Sequence, residues 1–239
     1  AHPEWKGKSA NGAYGDVVEE LDGRIGEILK TLKATGLEKQ TIVVFMSDNG
    51  TEPGQKKWGS GKPFRGLKWS SLEGGTRVPC IIRYPGVIPA GKVSDSLTAA
   101  IDFLPTLAFA CGNELEKGAR SVPKIDGLNL WGSLTGKAKL HRRTSLLYWQ
   151  GWAVPQAIRV GDWKLVRKGA QRMEKIENWE LYDLLQDRSE LNNLAATNPE
   201  LVQKLAEQWE AFALHAHAKP WPVAKKKTPP KKPNKPKKS

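Results

Sequence analysis

A polar triplet ends an apolar segment early in the chain and offers oxygen ligands for a cation. The segment from Thr41 to Gly50 reads TIVVFMSDNG, so that Asp48 and Asn49 directly follow its apolar residues. A carboxylate and a side-chain amide are suitable ligands for Ca²⁺ or Mg²⁺, and Gly50 would let the backbone turn away from the ion. The same triplet is also common in ordinary turns. The residues alone therefore leave a metal site and a simple turn as alternatives.

The segment that follows is a glycine-rich loop, residues 61–79, with the sequence GKPFRGLKWSSLEGGTRVP. Lys62, Arg65 and Lys68 lie within it, ahead of the next apolar segment. Such a loop can bring cations and backbone N–H groups against a tetrahedral oxyanion, while a metal ion balances charge from the other side. The alternative is a solvated basic loop without a ligand.

The order of these motifs resembles the C-terminal half of a formylglycine-dependent sulfatase of the alkaline-phosphatase superfamily. The resemblance runs from about Gly12 to His215 and rests on YGDVVEELD, TIVVFMSDNG, FRGLKWSSLEGGTRVP and IDFLPTL, which occur in that order. It implies an arylsulfatase-like sulfuric ester hydrolase. It also implies an α/β fold, namely the C-terminal part of an alkaline-phosphatase-like sheet with helices on both faces, plus a small antiparallel α+β subdomain.

The resemblance implies roles for three residues. Asp48 and Asn49 match late metal ligands of the family, which usually bind Ca²⁺, with Mg²⁺ also possible. Lys68, five residues before the Glu-Gly-Gly motif, matches the lysine that contacts the sulfate group. The ion would act as a Lewis acid on the sulfate, and Lys68 would neutralise charge on an ester oxygen. Lys62 and Arg65 receive no role from the resemblance.

The nucleophile of that family has no counterpart in this sequence. The family makes formylglycine from the Cys or Ser of a C/S-x-P/A-x-R motif, whereas Ile-Ile-Arg follows Cys80 and Gly-Asn-Glu follows Cys111. His2 precedes a proline, as the family's sulfate-contacting histidine does, but it lies too close to Gly15 for the family's spacing. We therefore expect formylglycine, the early metal-binding Asp pair and the first catalytic lysine and histidine in a missing N-terminal half. The isolated chain should be inactive.

The elements that must position these residues alternate between helix and strand. Apolar residues recur at steps of three and four between Gly12 and Gly36, which predicts an amphipathic helix with Gly36 as its C-terminal cap. Residues 41–47 predict a buried strand, and residues 77–84 predict a second strand. Asp102 to Ala110 predicts a short helix with an acidic cap. This alternation is typical of an α/β sheet.

Beyond about Gly136 the pattern changes to short strands. Residues 145–150, 157–160, 162–168 and 179–184 predict an antiparallel sheet, with a Gly161-Asp162 turn between the second and third, and residues 199–215 predict a helix. We therefore divide the chain into part of the catalytic α/β domain at 1–135, a small sheet-and-helix subdomain at 136–218, and a disordered Lys/Pro-rich tail at 219–239.

The composition limits the possible partners. Nine lysines of the net charge of +13 lie within residues 219–239, which leaves only +4 for residues 1–218, so a specific nucleic-acid partner is not indicated. The 239 residues contain no apolar run long enough for a transmembrane segment, and the resemblance implies a periplasmic or secreted protein. Because the chain opens on Ala1, we expect that a preceding segment, including any signal peptide, is absent.

Other functions remain open at this point. A phosphodiesterase or phosphonate hydrolase of the same superfamily would use a related site. A noncatalytic module could bind an acidic polysaccharide through the glycine-rich loop and the tail. For a sulfated glycan substrate, Trp58, Trp69 and Trp152 are candidate aromatic walls, although most tryptophans have packing roles. His141, His215 and His217 are not expected to act as ligands.

Overall fold

The computed structural model describes residues 1–55, 57–113, 115, 125–138, 143–149, 155–167 and 178–216. Its helices and strands alternate in the first half and form an antiparallel sheet in the second. The helices are α1 (Gly12–Ala34), α2 (Glu73–Thr76), α3 (Phe103–Ala110), α4 (Trp131–Leu134) and α5 (Pro199–His215). The strands are β1 (Val43–Met46), β2 (Cys80–Arg83), β3 (Ser145–Trp149), β4 (Pro155–Val160), β5 (Trp163–Arg167) and β6 (Trp179–Asp183).

Helix α1 confirms the prediction from the apolar spacing, and it ends as the sequence indicates. Gly36 has a φ of +74°, a conformation that glycine adopts without a steric penalty. The Leu37 N–H donates to the Leu32 carbonyl at 2.9 Å, and the Gly36 N–H donates to the Lys33 carbonyl at 3.2 Å. These two bonds form a Schellman motif, which satisfies carbonyls at the end of the helix before the chain turns toward β1.

Strands β1 and β2 pair in antiparallel orientation, with Val44 opposite Ile82. Both are shorter and more exposed than the sequence predicts, since Phe45 is 38% exposed and Ile81 61%. A strand is buried only when other elements lie on its faces, and within the described residues this sheet has two strands only. The apolar composition thus predicted the two strands correctly. It did not predict their burial, because burial depends on the elements that pack against a strand.

The second sheet has the order β3-β4-β5-β6, and every neighbouring pair is antiparallel. All four predicted strands are therefore confirmed, as is helix α5, which begins with Pro199 at its first position. Val160 pairs with Trp163, so the Gly161-Asp162 turn is confirmed as the connection between β4 and β5. No helix among the described residues is both long and apolar enough to cross a membrane.

The two faces of this sheet carry separate apolar cores. One face packs against α5 through a cluster that includes Ile158, Leu165 and Trp209. The other face carries Tyr148, Ala157, Val166, Tyr182 and Leu184, and Leu72 of the glycine-rich loop packs against it. Because alternate residues of a strand point to opposite faces, one sheet connects the C-terminal helix to the glycine-rich loop.

Helix α3 begins where the sequence predicts, but its acidic residue acts differently. The Asp102 carboxylate accepts the Ala99 N–H at 2.8 Å and the Leu128 N–H at 2.7 Å, and it also pairs with Arg143. It forms no capping bond with α3. The carboxylate therefore ties the start of α3 to more distant segments of the chain, because its buried position favours partners outside the helix.

Candidate functional site

Three glycines bring the Asp-Asn-Gly turn, residues 48–50, against the glycine-rich loop. The Gly50 N–H donates to the Gly75 carbonyl at 3.0 Å, and a Cβ on Gly50 would lie 1.8 Å from the Gly74 oxygen. A Cβ on Gly74 would lie 2.5 Å from the Gly66 oxygen, and one on Gly75 2.2 Å from the Ser70 oxygen. No side chain fits at any of these positions without a shift of the backbone. The two motifs thus interlock through backbone atoms.

Lys68 lies in the same cluster of loops. Its backbone N–H donates to the Thr51 carbonyl at 2.9 Å, which places Lys68 beside the residue that follows the Asp-Asn-Gly turn. Its Nζ lies 3.2 Å from Glu52 Oε2 and 5.4 Å from the centre of the Trp69 ring. The backbone of Lys68 is thus bound to Thr51, next to the Asp-Asn-Gly turn, while its ammonium group pairs with the carboxylate of Glu52.

The two proposed metal ligands follow β1 directly. Asp48 is exposed and, within the described part of the chain, its carboxylate forms no hydrogen bond or ion pair, while Asn49 is half-buried. The Ser47 hydroxyl donates to the Asn49 carbonyl at 3.0 Å and shapes the turn. No group of three or more His, Cys, Asp or Glu side chains with metal-binding geometry occurs among the described residues. The oxygen donors suit a hard cation, but two of them supply only part of the six to eight ligands of Ca²⁺.

A buried charge cluster beside the site was missed by the sequence analysis. Lys164 Nζ lies 2.8 Å from Glu73 Oε1 and 3.1 Å from Glu190 Oε1, and the Glu73 N–H donates to Glu190 Oε2 at 2.7 Å. All three residues are buried, and burial raises the pKa of Glu190. One signal was available, since Lys164 lies in a predicted strand between the apolar residues Trp163 and Leu165.

Arg65 is bound by the C-terminal sheet. Its guanidinium donates to the Tyr182 hydroxyl at 2.8 Å, and that hydroxyl donates to Glu180 Oε2 at 2.8 Å. Burial raises the pKa of Tyr182 to about 12, so the phenol stays protonated at neutral pH. Arg65 thus contacts the C-terminal sheet, whereas Lys62 is exposed.

The remaining candidate residues lie away from this cluster or outside the described residues. The His2 N–H donates to Glu20 at 2.8 Å, its ring lies 3.4 Å from Glu4, and His215 is exposed at the end of α5. Both cysteines are free and exposed. Trp58 is 51% exposed and Trp69 68%. His141, Trp152, His217 and the tail at 219–239 lie outside the described residues.

Two family models match this chain. A model described as "Sulfatase" matches residues 3–112. A model described as "N-sulphoglucosamine sulphohydrolase, C-terminal" matches residues 68–214, which is more than half of the chain. The two matches overlap at residues 68–112, which begin within the glycine-rich loop, and together they include the Asp-Asn-Gly turn and the antiparallel sheet.

Individual relatives agree with these matches. Mouse steryl-sulfatase is 39% identical over 165 residues, which cover 66% of this chain and 26% of that protein. An N-acetylgalactosamine-6-O-sulfatase of Bacteroides thetaiotaomicron is 33% identical over 231 residues, which cover 88% of this chain and 43% of that protein. The chain thus spans less than half the length of either relative.

A solved structure supports the fold. It comes from work on glycosaminoglycan metabolism by Bacteroides thetaiotaomicron and aligns with a TM-score of 0.72 at 32% identity, covering 89% of this chain and 47% of that one. The motif order, the interlocked glycines and the long family match agree with one another. The chain therefore belongs to the sulfatase family and has the mixed α/β, alkaline-phosphatase-like fold of its solved members.

Proposed function

We propose that this chain supplies the C-terminal part of a sulfuric ester hydrolase. In this proposal Asp48 and Asn49 bind a divalent cation, Ca²⁺ or Mg²⁺, and Lys68 contacts the sulfate group. The main supporting observation is the backbone interlock of Gly50 with the Glu-Gly-Gly segment, together with the Lys68–Thr51 hydrogen bond. These contacts bring oxygen donors and a lysine into one cluster of loops beyond the end of β1.

The proposed roles follow from the chemistry of the side chains. When bound, the cation supplies Lewis acidity toward the sulfate oxygens. Lys68 donates hydrogen bonds to a sulfate oxygen and neutralises its charge, and Glu52, 3.2 Å away, orients the ammonium group before the substrate arrives. The chain contains no formylglycine motif, so the nucleophile and the other metal ligands belong to an N-terminal half. We expect no turnover by the isolated chain.

The substrate proposed here is a sulfated sugar. One relative is named an N-acetylgalactosamine-6-O-sulfatase, and the aligned solved structure comes from work on glycosaminoglycans. In this chain, Trp58 and Trp69 are exposed, Lys57 Nζ lies 4.5 Å from the Trp58 ring, and Lys68 lies 5.4 Å from the Trp69 ring. Exposed tryptophans next to cations suit a ring that carries an anionic group. A periplasmic or secreted location fits such a substrate.

Replacement of Lys68 tests the proposed activity. In the complete gene product, Lys68→Ala should reduce kcat/KM for an aryl sulfate by about a hundredfold, because a preorganised donor to the charged group is lost. Lys62→Ala is the matched control, since this lysine lies in the same loop but is exposed, and its turnover should stay within about twofold of the parent.

Three outcomes would contradict the proposal. Unchanged turnover of the sulfate ester by Lys68→Ala would remove that lysine from the catalytic site. A parent protein that hydrolyses aryl phosphate esters or diesters faster than sulfate esters would instead indicate a phosphodiesterase-type member of the superfamily. Retention of an acidic polysaccharide without any ester hydrolysis would indicate a binding module.

A further inference from the structure

We propose that Lys164 and Glu190 are positioning residues, which hold Glu73 and thereby keep the glycine-rich loop seated against the Asp-Asn-Gly turn. Both residues belong to the C-terminal part of the chain, in β5 and in the segment after β6, whereas Glu73 begins α2. The significance of the loop for catalysis rests on the function proposed above. The positioning itself rests on the contacts of the buried cluster.

The hydrogen bonds of the cluster hold Glu73 at two places. The Glu73 N–H donates to Glu190 Oε2 at 2.7 Å, and Glu73 Oε1 accepts from Lys164 Nζ at 2.8 Å. Lys164 also pairs with Glu190 Oε1 at 3.1 Å. One residue of the loop is therefore held by its backbone and by its side chain, and both partners are connected to each other.

Burial of these charged groups costs desolvation free energy, which a role in stability alone does not explain. The side chains of Lys164 and Glu190 are 0% exposed and that of Glu73 is 3% exposed, so two carboxylates and one ammonium group have lost their hydration. Arg77, 3.7 Å from Glu73 Oε2, adds a second cation at the edge of the cluster, and the Tyr148 ring lies 4.3 Å from Lys164 Nζ. Well-packed apolar residues often give equal or greater stability than a buried ion pair. They cannot provide directional hydrogen bonds to Glu73.

The backbone of Glu190 provides a second, independent observation. Its φ is +54°, a conformation that is uncommon for residues with a side chain and readily adopted by glycine. The turn is built around Asp187, whose carboxylate accepts the N–H groups of Leu191 and Asn192 at 2.7 and 2.8 Å. A glutamate at this position has an unfavourable backbone conformation. That conformation allows its carboxylate to accept the Glu73 N–H. Strain of this kind is concentrated at functional sites.

Glu73 is followed by Gly74 and Gly75, whose backbone hydrogen bonds reach both the lysine-bearing part of the loop and the Asp-Asn-Gly turn. The Gly74 N–H donates to the Arg65 carbonyl at 2.7 Å, which fixes the stretch that carries Lys68. The Gly75 carbonyl accepts the Gly50 N–H at 3.0 Å, which fixes the Asp-Asn-Gly turn. A shift of Glu73 would therefore displace the lysine and the oxygen donors relative to each other.

Glu190→Gly is the most informative variant, because it relieves the backbone strain and removes the carboxylate. Amide hydrogen exchange in this chain should accelerate by roughly tenfold or more at the Gly50 and Lys68 N–H groups, relative to the α5 amides of Leu205 and Trp209. Glu210→Gln is the matched control, since Glu210 is exposed on α5, and its exchange should equal that of the parent.

Activity provides a second measurement in the complete gene product. Glu190→Gly should lower kcat for an aryl sulfate by about 10- to 100-fold with a smaller change in KM, as for residues that orient metal and substrate ligands. Glu190→Gln keeps an acceptor for the Glu73 N–H and should recover part of this loss. Glu190→Met fills a similar space without that acceptor, so recovery by Met as well as by Gln would indicate that Glu190 serves only to fill space.

Each outcome decides between the two proposals. Unchanged exchange at Gly50 and Lys68 in folded Glu190→Gly would overturn the positioning role, whatever the activity. If that variant does not fold, unchanged exchange at both amides in Glu190→Asn, whose side chain tolerates a positive φ but is one methylene shorter, would overturn it instead. A parent protein without sulfate turnover would contradict the proposed function, while the exchange measurement would still test the positioning role.

Discussion

The side chain of Gly50 is a single hydrogen atom, and the Gly74 carbonyl oxygen occupies the place where a methyl group would be. Gly50→Ala should therefore lower the free energy of unfolding by about 1–3 kcal/mol or more, because the two loops must separate. Chemical denaturation measures this change. Gly26→Ala is the control, since nothing lies within 4 Å of its Cβ in α1, and the substitution should stabilise the helix by about 0.5–1 kcal/mol.

Asp48 should respond directly to a divalent cation. Because two oxygen donors form only part of a coordination sphere, we expect this chain to bind Ca²⁺ no more tightly than about 10⁻³ M. Titration with Ca²⁺ should shift the NMR signals of the Asn49 and Gly50 amides, and Asp48→Ala should abolish these shifts. Asp95→Ala, which removes an exposed carboxylate from another loop, should leave them intact. Equal shifts in the Asp48 variant would argue for an ordinary turn.

At the scale of an element, the start of α1 depends on one buried carboxylate. Asp16 accepts the backbone N–H groups of Gly7 and Ser9 at 2.8 Å and of Lys8 at 3.1 Å. The bond from Ser9 is the largest of the effects that lower the pKa of Asp16. The carboxylate therefore ties the first residues of the chain to α1 in a way that depends on its charge.

The stability conferred by Asp16 should depend on pH. Because its folded-state pKa is lowered, the carboxylate stabilises the fold above the ordinary aspartate pKa, and this contribution is lost as the pH falls through the lowered value. Asp16→Asn should therefore destabilise the chain at neutral pH and have a smaller effect near about pH 3. Denaturation at both pH values checks this. Asp22→Asn, on the exposed side of α1, should change little at either pH.

Elements with local signals were predictable from the sequence. The strands of the C-terminal sheet are short, mainly apolar segments, two of them joined by the Gly161-Asp162 turn, and α1 has both its apolar spacing and its glycine cap. Burial was not predictable in the same way, since β1 has the composition of a buried strand but Phe45 is 38% exposed. The capping role expected for Asp102 also differs, because its partners Leu128 and Arg143 lie far along the chain.

At the scale of the whole molecule, the order of motifs was sufficient to identify the sulfatase family, and the family models confirm it. The roles of Asp48, Asn49 and Lys68 remain predictions that the experiments above address. The contacts of Glu73 could not be predicted, because Lys164 lies 91 residues away and Glu190 117 residues away. No local pattern contains information about pairs so widely separated.

The same separation has a consequence for biosynthesis. The bonds of Glu73 with Glu190 and of Arg65 with Tyr182 each join residues 117 positions apart. During translation, α1 can form soon after it leaves the ribosome. The segment around residue 73 can form its bonds with Glu190 only after residue 190 has emerged. For the time needed to synthesise more than a hundred residues, the nascent chain therefore carries these polar groups without their final partners, a period in which chaperones have access to it.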